Sequence, residues 1–108
     1  ETSIETGLDC PHKLSVAGKL LYWADGCTKA VYRAPVGGGT LQKVASHDVS
    51  DIVADGDTAY FVSSAGLERI AVSAATPSLV VSAPVVAAAV DATHVYWSTG
   101  AQLYRQPK

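Results

Sequence analysis

Short apolar runs recur along the chain, separated by polar or glycine-bearing breaks. The runs include Leu14-Ser15-Val16-Ala17, Ile52-Val53-Ala54 and Ala88-Ala89-Val90, and later in each unit Thr40 to Val44 and Ser78 to Val81. The breaks are Ala24-Asp25-Gly26, Val36-Gly37-Gly38-Gly39, Asp55-Gly56-Asp57, Ser64-Ala65-Gly66, Thr76-Pro77 and Thr99-Gly100. Short runs rich in Val, Thr and Tyr, punctuated by Gly and Asp, read as strands of a meander. No segment carries a convincing helical period. The alanine-rich stretch Val86 to Val90 follows Pro84 and aligns with strand positions elsewhere, so it too is predicted as strand.

The aromatics give the pattern a longer period. Leu21-Tyr22-Trp23, Ala59-Tyr60-Phe61 and Val95-Tyr96-Trp97 repeat one order of residue types. The tyrosines are spaced 38 and then 36 positions apart, and the three arginines, Arg33, Arg69 and Arg105, are spaced 36 and 36. Tyr32 and Tyr104 each precede an arginine, so every aromatic of the chain sits on a repeat position. Four strands per unit of about 36–38 residues is the arithmetic of a β-propeller blade. The fold expected is therefore all-β, with three four-stranded antiparallel blades, half of a six-bladed ring. Residues 10–47 are assigned to blade one (strands 13–17, 19–24, 29–34, 40–45). Residues 48–83 form blade two (51–55, 58–63, 67–72, 78–82). Residues 84–108 form blade three (86–91, 94–98, 102–106), which lacks its outer strand. Residues 1–9 are expected to hold a strand that completes a blade.

Leu21-Tyr22-Trp23-Ala24-Asp25 resembles the signature of the YWTD propeller repeat of the low-density-lipoprotein receptor type. Val90-Asp91, ahead of Val95-Tyr96-Trp97, is similar to that family's Val-Asp lead-in, and Pro11 to Ala17 and Val49 to Asp55 are weaker copies. The signature Thr is replaced by Ala24, Val62 and Ser98, the signature Asp stands only at Asp25, and Phe61 replaces Trp. The resemblance runs from about residue 11 to the end. It implies a six-bladed propeller used for protein or ligand binding rather than an enzyme.

Composition narrows the classes. The chain has 108 residues, 48% hydrophobic and 17% charged, enough apolar content to fill a core. A net charge of −2 with no basic run argues against nucleic-acid binding. The most apolar stretch, Leu79 to Val90, is broken by Ser82 and Pro84 and falls short of a membrane span. Methionine is absent even at position 1, which predicts a processed or excised chain whose signal peptide, if any, is gone. Three blades are too few to close a ring, and an open half-ring exposes two apolar faces. A two-fold homodimer is therefore expected, with Ser3 to Thr6 of one chain pairing with 102–106 of the other. The competing expectation is a piece of a longer propeller.

Candidate chemistry is sparse. Cys10 and Cys27 fall before the first strand and in a hairpin of blade one, close enough for a disulfide and fitting a secreted or periplasmic protein. Such a bridge closes a loop worth about 3 kcal/mol. Two cysteines are too few for structural zinc unless His12 and another ligand join them, and no cofactor or catalytic motif is found. His12, His47, Asp48, Ser50 and Asp51 fall near inter-blade connections at one end of the predicted fold and are candidates to bind a sugar, a metal or a peptide, though solvated loop residues are the commoner outcome; His94 falls at the other end. The arginines either form a ring for acidic ligands or, more in keeping with their recurrence, bridge neighbouring blades. Tyr22, Trp23, Tyr60, Phe61, Tyr96 and Trp97 likewise either line lectin-like sugar sites or pack between blades, with packing favoured. The expected function is a non-catalytic secreted binding or scaffold module with an unidentified protein, peptide or sugar ligand. The runner-up is a lectin-like carbohydrate binder.

Overall fold

Tight two-residue turns start the architecture. Gly18-Lys19 and Gly56-Asp57 each join two strands, and Gly18 and Gly56 adopt φ of 58° and 57°, the left-handed region such hairpin turns use. The computed structural model describes residues 10–108, so the expected strand at Ser3 to Thr6 lies outside the described residues. Eleven strands follow: β1 (Pro11–Ala17), β2 (Leu20–Asp25), β3 (Ala30–Pro35), β4 (Gln42–Ala45), β5 (Asp51–Asp55), β6 (Thr58–Ser63), β7 (Gly66–Ala71), β8 (Ser78–Val81), β9 (Ala87–Val90), β10 (His94–Ser98) and β11 (Leu103–Pro107). They form three antiparallel meanders, β1-β2-β3-β4, β5-β6-β7-β8 and β9-β10-β11. No helix occurs among the described residues, and none is long and apolar enough to cross a membrane.

The strands begin and end within a few residues of the sequence expectation. The largest differences are two residues each: β1 starts at Pro11 rather than residue 13, and β4 at Gln42 rather than residue 40. A bulge between His12 and Ser15 lets β1 pair further, and Lys13 sits there at φ 56°. Gly66 opens β7 because no side chain fits: a Cβ there would lie 2.0 Å from the Val81 carbonyl oxygen.

One turn recurs after the second strand of every sheet. Asp25 Oδ1 accepts the backbone N–H of Cys27 and Thr28, both at 3.0 Å. Ser63 Oγ accepts Ala65 N–H at 3.2 Å. Thr99 Oγ1 accepts Ala101 and Gln102 N–H at 3.4 and 3.2 Å. Three different residues thus supply the oxygen that an Asx- or ST-turn needs.

The core lies between sheets. Tyr22, Ala24 and Val31 of the first sheet meet Ile52, Ala59, Phe61 and Ile70 of the second. Tyr60, Val62 and Leu67, on the other face of the second sheet, meet Val95 and Trp97 of the third. Period-two alternation sends Tyr60 and Phe61 into different clusters, so the second sheet is covered on both faces. The opening strands β1, β5 and β9 are successive neighbours in space.

Candidate functional site

The histidine–carboxylate candidates lie at the start of β1, in the β4–β5 connector and at the start of β5, and most are occupied with local structure. His47 Nε2 contacts Glu68 Oε1 at 2.5 Å, tying the β4–β5 connector to β7. Its Nδ1 lies 3.2 Å from the Asp48 carbonyl oxygen. Asp48 pairs loosely with Lys29 at 3.8 Å. Ser50 Oγ donates to the Val62 carbonyl at 3.1 Å, and Asp51 Oδ1 accepts the Ile52 N–H at 2.9 Å. His12 stands on β1 opposite Ala24, with its ring against Gly26. Asp51 stands opposite Val62, the equivalent register position of the second sheet. His12 thus has different neighbours from His47. Glu68 and Lys29, the partners of His47 and Asp48, were not among the sequence candidates. Phe61–Glu68 is the second sheet's counterpart of Trp23–Tyr32 and Trp97–Tyr104, and that break in the aromatic pattern is the signal that marks Glu68.

Cys10 and Cys27 form a disulfide with Cα atoms 5.4 Å apart. Asp25 Oδ1 lies beside them, but both sulfurs are consumed by the bridge and the carboxylate is held by turn N–H groups. The donor set does not suit a metal. The Thr28 backbone N–H holds the Asp25 carboxyl below the usual carboxylate range, helped by Cys27 and opposed by burial.

The same physics acts at Asp91. Tyr96 donates its hydroxyl to Asp91 Oδ2 at 2.6 Å, and Thr93 and His94 donate backbone N–H groups to Oδ1. These bonds, led by that of Tyr96, hold Asp91 far below its ordinary value, and Asp91 raises the Tyr96 phenol in return. His94 opens β10, with Nδ1 2.7 Å from Thr93 Oγ1.

The arginines carry the most developed polar arrangement. Each stands directly across from the repeat tyrosine: Tyr22 with Arg33, Tyr60 with Arg69, Tyr96 with Arg105. Arg33 is 5% exposed and spans two sheets. Its Nε donates to Gln42 Oε1 at 2.8 Å and its Nη1 to Tyr22 Oη at 3.1 Å. Nη1 and Nη2 then donate to the carbonyl oxygens of Ala71 and Ala74, at 3.4 and 2.5 Å, in the turn after β7. The guanidinium also lies 5.9 Å from the Tyr22 ring centroid. Arg69 and Arg105 are exposed. Arg69 lines an open cleft of ≈ 520 Å³ with Tyr60, Thr58, Ser78, Asp55 and Lys108, the last two joined at 2.5 Å. Ser78 stands where the first sheet has Gln42, so Arg69 lacks that acceptor.

The aromatic candidates are mainly internal. Tyr22, Trp23, Tyr60, Phe61 and Trp97 are buried. Trp23 stacks on Tyr32 and Trp97 on Tyr104, with centroids 6.0 and 5.6 Å apart, while Tyr22 meets Phe61 across the first seam at 6.2 Å. No protein-family model matches the chain, and neither does any curated protein.

Proposed function

We propose that the chain is a non-catalytic binding or scaffold module built as half of a six-bladed propeller, completed by a second copy. The observation that carries this is the Tyr–Arg pair. It recurs in one register in all three sheets, and in the first seam its arginine joins one sheet to the next. Repeated sheets packed face to face in succession are the construction principle of a propeller, and six such sheets close by a two-fold rotation. The YWTD resemblance points the same way. The disulfide supports residence in an oxidising compartment, outside the cell or in a periplasm.

The carbohydrate-binding alternative needs open aromatic platforms. Burial of Trp23, Tyr60, Phe61 and Trp97 supports packing instead. Light scattering at micromolar concentration tests the proposal: twice the chain mass is expected, and a stable monomer overturns the paired ring.

A further inference from the structure

We infer that Arg105 is the clasp of the seam between two copies, inserting into the partner's turn after β3 as Arg33 inserts into the turn after β7. This rests on the paired-ring reading and adds which residues close it.

Both halves of the contact are present in the chain, at opposite ends of the repeat. The acceptor that Arg33 uses is a turn of defined shape, in which Ala74 N–H donates to the Ala71 carbonyl at 2.9 Å and Val72 N–H to the Asp57 carbonyl at 2.9 Å. The same turn follows β3: Gly38 N–H donates to the Pro35 carbonyl at 2.9 Å and Val36 N–H to the Lys19 carbonyl at 3.0 Å. No arginine reaches this first turn among the described residues. Arg105, opposite Tyr96 as Arg33 is opposite Tyr22, is the donor left at the other end. Tyr96 gives its hydroxyl proton to Asp91, which leaves its oxygen lone pairs to accept from the guanidinium, as those of Tyr22 do from Arg33.

The apolar surroundings match in the same way. Val31, Leu67 and Leu103 share one register position, opposite Ala24, Val62 and Ser98. Val31 and Leu67 are 0% exposed against the next sheet, whereas Leu103 is 77% exposed. On the opposite face of the first sheet, Leu14 and Val16 are 62% and 53% exposed. Their counterparts Ile52 and Ala54 pack into the first seam. A second copy offers Leu103 the face that Leu14 and Val16 belong to, and offers Arg105 the Pro35–Gly38 turn. The turn presents carbonyl oxygens, so it suits a guanidinium fork better than a point charge.

Sedimentation velocity over a concentration series tests the assignment from both sides. Arg105→Ala removes the donor, and Gly37→Trp fills the acceptor turn at a position where a Cβ meets nothing within 4 Å. Each is expected to weaken the dimer at least about tenfold, with an unchanged circular dichroism spectrum. Arg105→Lys should recover part of the loss, and Lys43→Ala, on β4, should change nothing. A wild-type dimer indifferent to both variants, or sensitive to only one, overturns the clasp and leaves the paired ring standing. A wild-type monomer overturns both.

Discussion

The seam between the first two sheets and the outer face of the third are built from the same register positions, yet one is a core and the other is a surface. Tyr22, Val31 and Arg33 are buried, whereas Leu103 and Arg105, at equivalent places, are exposed. Strand pattern and residue type are nearly constant between them. What differs is the neighbour. A repeat position acquires its environment from the next sheet, not from its own, which is the energetic logic of quasi-one-dimensional folds.

Leu67→Ala and Leu103→Ala give the largest contrast. The first should cost about 2–5 kcal/mol by urea unfolding, because it leaves a cavity in the second seam. The second should leave monomer stability within about 0.5 kcal/mol. Equal losses would break the comparison.

The disulfide sharpens it differently, since it clips the opening of the first sheet alone. Reduction should lower unfolding free energy by about 3 kcal/mol. Hydrogen exchange should show the gain in mobility concentrated in β1 and β2 rather than in the other sheets.

The arginines come next. Arg33→Ala strips donors from two carbonyls, Gln42 and Tyr22, and should cost about 2 kcal/mol. Arg69→Ala, on an open cleft, should stay within about 0.5 kcal/mol.

Smallest is the part of the acid-side pH dependence that the first sheet's turn contributes, beside that of Asp91 in the third sheet. The folded state holds Asp25 below the unfolded carboxylate value, so the unfolded chain binds the proton more readily. The resulting stabilisation is full above the ordinary range, near pH 4–5, and fades as pH falls through the folded value. Asp25→Asn keeps an acceptor for the turn and should flatten that part of the acid-side slope. Urea midpoints between about pH 2 and 6 would show it.

These contrasts also explain what could be read in the chain beforehand. The spacing of Tyr22, Tyr60 and Tyr96 against the arginines marked the three strand units, and that each tyrosine faces its arginine across two strands is a property of the register within one sheet. Cys10 and Cys27 were legible for the same reason. The turn signature was harder. Asp25 stood out as the only Asp at its position, yet Ser63 and Thr99 perform the same bonding with a hydroxyl. The Pro11 start of β1 was hidden by the bulge at Lys13, which shifts the alternation. His47 with Glu68, and Arg33 with Ala71 and Ala74, join separate sheets or connectors. No periodicity encodes them, since they depend on how the sheets face one another.

Across the seam Arg33 grips main-chain oxygens, not side chains, and that has a consequence for how such a molecule can change over time. The gripped loop is spelled Ala71-Val72-Ser73-Ala74, and its twin is spelled Pro35-Val36-Gly37-Gly38, with the same pair of internal bonds. A latch that recognises the course of the chain tolerates almost any spelling that keeps that course. Substitutions can therefore accumulate in these loops, and whole units can be duplicated or exchanged, without the latch being redesigned each time.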